Sequence, residues 1–287
     1  MNHIPLSNPR KLLDALDIKP SKALGQSFLK DKNILKILLE TAALTESDQV
    51  LEIGPGLGFV TEALLERVPR VVVIEKDKSL SQYLQKHLSH TSGLRLIECD
   101  ALDVDLEQIL VSEANKIIAN LPYSVGSRIL VNVFNAKRLP EQIVVTLQLD
   151  VAERLRASSG SKEYGFLSIL AQLNYEVKIR KVISPSCFYP APKIKSAIIN
   201  MKKRNAALFN IEDKPFFREL IKRSFFQRRK QISTILRTAP YPWAQNKEKT
   251  DDLLRALEID PSSRPENISV EKWGALSNAL SALSQTV

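Results

Sequence analysis

Short segments rich in valine and isoleucine recur along the first half of the chain, and this recurrence restricts the fold more than any other feature. They lie at residues 50–53, 70–75, 94–98, 116–119 and 142–147. Each is short and nearly continuous in apolar residues, which is typical of strands buried on both faces. The residues between them have helical length and spacing. The alternation therefore predicts an α/β fold, in which a parallel sheet carries helices on both faces.

The second half of the chain continues this pattern and then abandons it. Segments 175–182 and 196–202 are again strand-like, and we expect them to close a mostly parallel, seven-stranded, Rossmann-like sheet as an antiparallel pair. Later in the chain only helical spacing remains, interrupted by prolines. The helical segments lie at 213–238, 248–257 and 269–284.

These patterns predict three parts of the chain. Residues 1–20 show no clear periodicity and are expected to form a partly ordered N-terminal arm. Residues 21–204 form the α/β domain, and residues 205–287 form a small all-α domain. A total of 287 residues with 44% apolar content is sufficient for one large domain and one smaller domain.

Composition also restricts the location of the protein and its metal chemistry. No stretch reaches the roughly 18 consecutive apolar residues of a membrane span, and the N-terminus lacks the order of a signal peptide, so we expect a cytoplasmic protein. Cys99 and Cys187 are expected to be reduced thiols. His87 and His90 have no further ligand at a suitable spacing, so no metal site is expected.

Positive charge is concentrated in one region. Residues 178–237 contain 16 Lys and Arg and 3 acidic residues, a net charge of +13, whereas the whole chain carries +9. Such segregation predicts a polyanionic partner. The candidate phosphate contacts form a basic stripe on one predicted helix, although a solvated helix face remains an alternative. They are Lys222, Arg223, Arg228, Arg229 and Lys230.

A glycine-rich loop follows the first predicted strand. Gly54, Gly56 and Gly58 let the backbone approach a ligand closely, and a helix begins near Phe59. Phe59 stands where a dinucleotide fingerprint requires glycine. With Glu52 before it, the loop suits an adenosyl ligand without a pyrophosphate better than NAD. The alternative is that the glycines only permit tight packing of the helix on the sheet.

The next two strands also end in acidic residues. Glu75 is positioned to accept hydrogen bonds from ribose hydroxyls, and Asp100 from an adenine amino group, with Ala101 offering a backbone donor. Each acid alone is equally compatible with a helix N-cap or a solvated turn. Carboxyl ends of parallel strands meet at one edge, so we expect these groups to lie together.

The quartet Asn120-Leu121-Pro122-Tyr123 ends the fourth strand. An amino group on a flat aromatic ring is a weak nucleophile, so an enzyme must provide acceptors for its N–H groups and hold the ring flat. The Asn120 carboxamide oxygen, a backbone carbonyl held by Pro122 and the Tyr123 ring suit such a group. Core packing is the alternative for Tyr123, and a loop anchor against nearby prolines is the alternative for Phe188.

With these motifs, the chain resembles the ribosomal RNA adenine N6-dimethyltransferases over roughly residues 20–280. The resemblance rests on segments 22–29, 52–58, 120–123, 188–193, 226–230 and 266–269. It implies a class I methyltransferase fold and S-adenosylmethionine as the cofactor. The implied cofactor contacts are Ser27, Leu29, Gly54, Glu75, Asp100 and Asn120, and the implied contacts to the target adenine are Asn120, Leu121, Tyr123 and Phe188.

The resemblance further implies direct, in-line transfer of a methyl group from sulfonium to adenine N6, with Tyr123 and Phe188 sandwiching the base and no general base. The implied substrate is two adjacent adenosines in a hairpin near the 3′ end of small-subunit (16S) ribosomal RNA, both dimethylated. We expect a monomeric protein that acts on an immature 30S particle during ribosome biogenesis.

Three other functions remain possible on the same fold. They are methylation of adenine in large-subunit RNA, methylation of adenine in DNA, and a non-catalytic role in ribosome assembly or transcription. Leu121 and the C-terminal motifs argue against methylation of large-subunit RNA and of DNA. The presence of Glu75, Asp100 and the complete quartet argues against a non-catalytic role. The chain departs from the family pattern at Ser27, where Asn is typical, and also at Leu149 and Tyr189.

Overall fold

A computed structural model of the chain describes residues 8–89 and 91–285. The chain folds into two compact units. The first contains the residues up to Ala152 together with Glu176–Lys203, and the second contains Glu153–Tyr175 and the residues from Arg204 onward. Within the described residues, no helix is both long and apolar enough to cross a membrane.

The first unit is built on a sheet whose strands were largely anticipated. The described strands are β1 (Phe28–Leu29), β2 (Gln49–Ile53), β3 (Arg70–Glu75), β4 (Leu94–Glu98), β5 (Lys116–Asn120), β6 (Gln142–Gln148), β7 (Tyr175–Ile183), β8 (Phe188–Tyr189) and β9 (Ser196–Lys203). The helices of this unit are α1 (Pro9–Ala15), α2 (Lys32–Ala42), α3 (Phe59–Leu65), α4 (Lys78–His87), α5 (Leu106–Ser112) and α6 (Gly126–Asn135), and α7 (Leu149–Arg156) leads out of it.

Seven of the strands form one sheet in the order β4-β3-β2-β5-β6-β9-β7. The pairs β2–β3, β2–β5, β3–β4 and β5–β6 are parallel, and β9 runs antiparallel to β6. The predicted mostly parallel, seven-stranded sheet is thus confirmed. The strand order reverses at β2, between β3 and β5, and this switch point is where an open α/β sheet forms its ligand crevice.

Both faces of the sheet are covered. Val50, Val71 and Ile118 pack with Leu38 and Leu64 of α2 and α3 in one apolar cluster. Their neighbours along the strands point to the other face and are also almost fully buried. This explains why the central strands read as continuous apolar runs rather than as alternating ones.

Part of the predicted N-terminal arm is helical. Residues 1–7 lie outside the described part of the chain, but Pro9–Ala15 forms a helix capped by the Asn8 side chain. Leu13 is buried in a cluster with Leu57 and Phe59 beside the glycine-rich loop. The short helix is stabilised by this tertiary contact, because one turn or two are too short to be stable alone.

The second unit corrects the predicted domain boundary. Residues 153–175, placed by the sequence in the α/β domain, belong with the C-terminal helices. Their helix α8 (Phe166–Asn174) is buried almost all round and packs against α9 and α12. A helix that is apolar on every side needs partners on every side, and the C-terminal helices provide them. They are α9 (Lys214–Phe226), α10 (Ile232–Arg237), α11 (Lys247–Ala256) and α12 (Val270–Gln285).

The helix predicted at 213–238 is in fact two helices. Helix α9 ends at Phe226, a turn follows, and α10 begins at Ile232. The turn is held because the Arg228 guanidinium pairs with Glu266 and donates to the carbonyl oxygens of Ser161 and Lys162. The predicted basic stripe on one helix is therefore wrong, since three of its five residues lie in this turn.

Candidate active site

The glycine-rich loop adopts a backbone that side chains would obstruct. Gly54, Gly56 and Gly58 all have positive φ values, of 71°, 60° and 81°. A Cβ added to Gly54 would lie 3.1 Å from the Pro122 ring, and one added to Gly56 would lie 2.9 Å from the Phe28 ring. The glycines are therefore required by the close approach of the loop to the quartet and to β1.

One cavity lies at the switch point, beside the ends of the central strands. Its empty space is about 980 Å³ when the open solvent at its mouth is included, and all its lining residues belong to the first unit. The candidate cofactor residues contribute to its wall together: Ser27, Leu29, Glu52, Gly54, Gly56, Glu75, Asp100, Ala101 and Asn120 all line it. Leu121 and Pro122 of the quartet line it as well. Gly58 instead caps the N-terminus of α3.

Glu75 supports the loop from the next strand. Its carboxylate oxygens accept hydrogen bonds from the Gly56 N–H at 3.0 Å and the Asp77 N–H at 2.8 Å. Burial raises the pKa of Glu75. Each oxygen retains acceptor capacity beyond one hydrogen bond, so the side chain can hold the loop and still accept from a ligand hydroxyl.

Asp100 has a cationic partner that the sequence did not reveal. Its carboxylate accepts from Lys76 Nζ at 2.6 Å and from the Leu102 N–H at 2.9 Å. The hydrogen bond from Lys76 is the main reason that the pKa of Asp100 is lowered. Asp100 thus remains a charged acceptor at the cavity wall. Within the described chain, no hydrogen bond uses the neighbouring Ala101 N–H.

Glu52 is buried beneath the loop and is 1% exposed. It accepts a hydrogen bond from Thr61 Oγ1 at 2.6 Å. Burial raises the pKa of Glu52 to about 8, with the nearby Glu75 charge acting in the same direction. The carboxyl group is therefore mainly protonated at neutral pH, which makes it a neutral support of the loop rather than a charged contact.

Glu52→Gln is expected to remove a pH dependence from the stability of the fold. The pKa of Glu52 lies at about 8 in the folded state and near 4.5 in a model compound. Its contribution to the free energy of unfolding is therefore fully present below about pH 4.5 and is lost as the pH rises through 8. The loss should amount to a few kcal/mol, on the order of 1.4 kcal/mol for each unit of pKa. Urea unfolding across this range should show a weaker decline for Glu52→Gln than for the wild-type protein.

The matched control is Glu98→Gln, which changes an exposed glutamate at the end of β4. Its unfolding free energy should follow the wild-type pH dependence. A Glu52→Gln curve parallel to the wild-type curve would show that no proton is held at this position.

Segment 21–27 covers one side of the cavity. Gln26 accepts from the Ser21 N–H at 2.7 Å and donates to Asp77 at 2.8 Å, so the segment is tied to the N-terminus of α4. A Cβ on Gly25 would lie 2.7 Å from the Ser124 backbone nitrogen. Ser27 donates to the Pro190 carbonyl at 2.9 Å.

Both ends of the Asn120 carboxamide are held. Its Nδ2 donates to the Ser27 carbonyl at 2.8 Å, and its Oδ1 accepts from Thr146 Oγ1 at 2.6 Å. Thr146 is fully buried near the end of β6. Its only local signal is a hydroxyl in an otherwise apolar strand, which did not indicate that it would orient Asn120. Within the described residues, the adjoining Leu121 carbonyl accepts no hydrogen bond.

The two candidate stacking residues are closer together than a sandwich requires. The Tyr123 and Phe188 rings lie edge to face, with centroids 6.4 Å apart and planes at 72°. Phe188 is 1% exposed, and neither ring belongs to the cavity wall. Phe188 is held in β8 by its pairing with Leu29. That the two rings sandwich the target base stays a prediction.

Tyr123 itself is fixed at its hydroxyl. The phenol oxygen lies 2.6 Å from Ser196 Oγ, at the first residue of β9. Burial raises the pKa of Tyr123, so the phenol is protonated at neutral pH. Tyr189, the departure next to Phe188, packs instead against the cluster that contains Leu13 and Phe28.

The basic region is divided between the two units. Residues 178–203 of the first unit carry seven Lys and Arg, and residues 204–237 of the second carry nine. Of the five candidate phosphate contacts, Arg223 and Arg228 are bound internally, to the Thr238 carbonyl and to Glu266. Lys222, Arg229 and Lys230 are exposed.

No cluster of three or more potential metal ligands occurs among residues 8–89 and 91–285. His87 lies 3.1 Å from Glu62 and stacks on Tyr83, whereas His90 is outside the described residues. Cys99 and Cys187 are free thiols.

Comparisons with known proteins identify the family of the chain. The model of the family "Ribosomal RNA adenine dimethylase" matches residues 18–281. A "Ribosomal RNA small subunit methyltransferase A" from Clostridium perfringens is 35% identical, with 98% of this chain and 97% of the relative covered. The protein of the same name from Geobacillus sp. is 36% identical, with 94% and 95% covered.

A solved structure supports the fold independently. A dimethyladenosine transferase from Plasmodium falciparum superposes with a TM-score of 0.76 at 23% identity, covering 88% of this chain and 97% of that one. The class I methyltransferase fold is thereby confirmed. With the family model matching nearly the whole chain, this protein belongs to the ribosomal RNA adenine dimethylase family.

Proposed function

We propose that this chain dimethylates N6 of two adjacent adenosines in a hairpin near the 3′ end of small-subunit ribosomal RNA, with S-adenosylmethionine as the methyl donor. Membership of its family makes the chain a methyltransferase that acts on ribosomal RNA. The proposal adds the position, the number of methyl groups and the setting, a monomer acting on an immature 30S particle in the cytoplasm. The observation that carries it is the Asn120 carboxamide, fixed at both ends beside the cavity.

The cavity fits S-adenosylmethionine. Gly54 and Gly56 line the cavity without side chains, and Glu75 and Asp100 offer acceptors suited to ribose hydroxyls and an adenine amino group. When bound, S-adenosylmethionine supplies a methyl group on a positively charged sulfur.

The target amino group is held by the quartet. Asn120 Oδ1 and the Leu121 carbonyl accept its two N–H groups, and Thr146 keeps the carboxamide from rotating. Tyr123 offers the stacking surface, and Phe188 sets its orientation through the edge contact. Positioning of this kind supplies about 7–11 kcal/mol, more than the few kcal/mol needed to extrude a base. No general base is assigned.

The proposal is tested by supplying labelled S-adenosylmethionine with four acceptors: small subunits that lack dimethyladenosine, naked small-subunit RNA, large-subunit RNA and DNA. Nucleoside mass spectrometry should detect N6,N6-dimethyladenosine at two adjacent positions of the small-subunit particles. Labelling mainly of large-subunit RNA or DNA would favour the alternative substrates. Donor binding without transfer to any acceptor would favour a non-catalytic assembly factor.

Reversing the exposed charges of Lys222 in α9 and of Arg229 and Lys230 in the turn after it should weaken RNA binding and reduce its dependence on salt. In the triple variant Lys222→Glu, Arg229→Glu and Lys230→Glu, each lost phosphate contact should lower the slope of log affinity against log salt by about 0.7 to 0.9. The affinity for S-adenosylmethionine should not change, because the cavity is formed by the other unit. Filter binding at several salt concentrations measures the slope.

The control variant is Lys249→Glu, an exposed lysine of α11 in the same unit. Its slope should equal that of the wild-type protein, while Lys230→Glu alone should lower it. Equal RNA affinity of the triple variant and the wild-type protein at low salt would exclude this surface as a phosphate site.

A further inference from the structure

Phe226 is 92% exposed at the last residue of α9. The other exposed large apolar side chains in the described chain, Val111, Val182 and Ile194, are only 43–48% exposed. Single apolar residues at a surface are common, but they are usually partly covered. A phenylalanine with almost its whole ring in water is therefore a feature that the folding of this unit does not explain.

Phe225, the residue before Phe226, packs in the core of the second unit. The Phe225 ring contacts the rings of Tyr164 and Trp273, with centroids 6.1 Å and 6.0 Å apart. Phe225 packs inward, whereas Phe226 lies on a different, solvent-facing side of α9. Phe226 is not a core residue that failed to pack.

Three exposed cationic residues lie within four positions of Phe226 along the chain. Lys222 precedes Phe226 by four residues and so lies on the same side of α9. Arg229 and Lys230 follow in the turn, and all three are exposed. Because Arg228 ties this turn to Glu266, the neighbouring side chains are presented from a fixed backbone.

We propose that Phe226 stacks on an unpaired base of the RNA substrate while Lys222, Arg229 and Lys230 contact the adjacent phosphates. Single-stranded nucleic acid is bound by this combination, since every base offers a π-face and every nucleotide a negative charge. The charge of this region is complementary to that of RNA, because residues 204–237 carry nine Lys and Arg and three acidic residues. The inference rests on the proposed function, which makes RNA the partner.

The test compares Phe226→Ala, Phe226→Leu and Phe226→Trp in the full-length protein. The probes are a fluorescently labelled oligoadenylate and an abasic ribose-phosphate strand of the same length. Loss of stacking should weaken oligoadenylate binding about 5- to 100-fold in the Ala and Leu variants, while the Trp variant retains it. Binding to the abasic strand should be equal in all four proteins.

The salt dependence of oligoadenylate affinity distinguishes a stacking contact of Phe226 from the phosphate contacts of its cationic neighbours. Phe226→Ala should weaken oligoadenylate binding at every salt concentration without changing the slope, whereas Lys222→Glu should lower the slope. Unchanged melting temperatures would establish that the variants fold, as expected for a side chain so exposed.

Three outcomes would overturn the inference. They are equal oligoadenylate affinity of Phe226→Ala and the wild-type protein, wild-type affinity of Phe226→Leu, and an equal loss on the abasic strand. If the wild-type protein still dimethylates small-subunit RNA, any of these results excludes the stacking contact without contradicting the proposed function.

Discussion

Replacing Asn120 with Ala should reduce the rate of methyl transfer by about 10²- to 10³-fold, the effect usually seen when one preorganised polar group is removed from an active site. The carboxamide is held by Ser27 and Thr146, so its oxygen faces a target amino group without any reorganisation. The change also leaves the buried Thr146 hydroxyl with a poorer partner, which should cost about 1–3 kcal/mol of stability. Single-turnover kinetics with saturating donor measure the rate.

Two further variants separate catalysis from folding. Asn120→Asp keeps an acceptor oxygen but loses the donor to the Ser27 carbonyl, so its rate should lie between those of Asn120→Ala and the wild-type protein. Asn200→Ala removes another hydrogen-bonded asparagine of the same sheet, one that accepts from Gln142, and should transfer at the wild-type rate. Near-normal turnover of Asn120→Ala, with the donor still bound, would exclude the assigned role.

Replacing Gly56 with Ala should destabilise the fold by about 2–5 kcal/mol and weaken S-adenosylmethionine binding at least tenfold. Two costs combine. A non-glycine residue is strained at a φ of +60°, and its Cβ would lie 2.9 Å from the Phe28 ring, which is buried and cannot easily move. Any shift of the loop also disturbs the hydrogen bond from the Gly56 N–H to Glu75. Calorimetric titration and urea unfolding measure the two effects.

Gly160→Ala is a matched control for the strain alone. Gly160 also has a positive φ, of 86°, but an added Cβ would meet no atom within 4 Å. It should cost only about 1–2 kcal/mol and leave donor affinity unchanged. Equal destabilisation by the two substitutions would show that the contact with Phe28 contributes nothing. Combining Gly56→Ala with Phe28→Leu should restore part of the loss if that contact is responsible.

Local sequence patterns predicted those features of the fold that depend only on neighbouring residues in the chain. The central strands had to be apolar along their whole length because helices cover both faces, and this made β2 to β6 recognisable within a residue or two. The glycines at 54 and 56 were recognisable because their backbone conformation suits few other residues. The parallel alternation then brought the strand ends together.

Sequence patterns did not predict the ends of helices or the domain boundary where these depend on contacts between residues far apart in the chain. Helical spacing runs across Phe226 to Ile232, but the chain turns there because Arg228 binds Glu266, 38 residues away. Helix α8 has no local sign that its partners are the C-terminal helices rather than the sheet. The helix at Pro9–Ala15 is visible only in retrospect, from Leu13 and its buried neighbours.

The sequence by itself therefore determined the sheet, the glycine-rich loop and the chemical groups at the strand ends, because burial and backbone strain act on each segment separately. The tertiary structure alone decided how those groups are oriented. Asn120 is held by Ser27 and Thr146, which lie 93 and 26 residues away, and Ser27 reaches Pro190 across 163 residues. Hydrogen bonds between such distant residues form only after the chain has folded, so no local pattern encodes them.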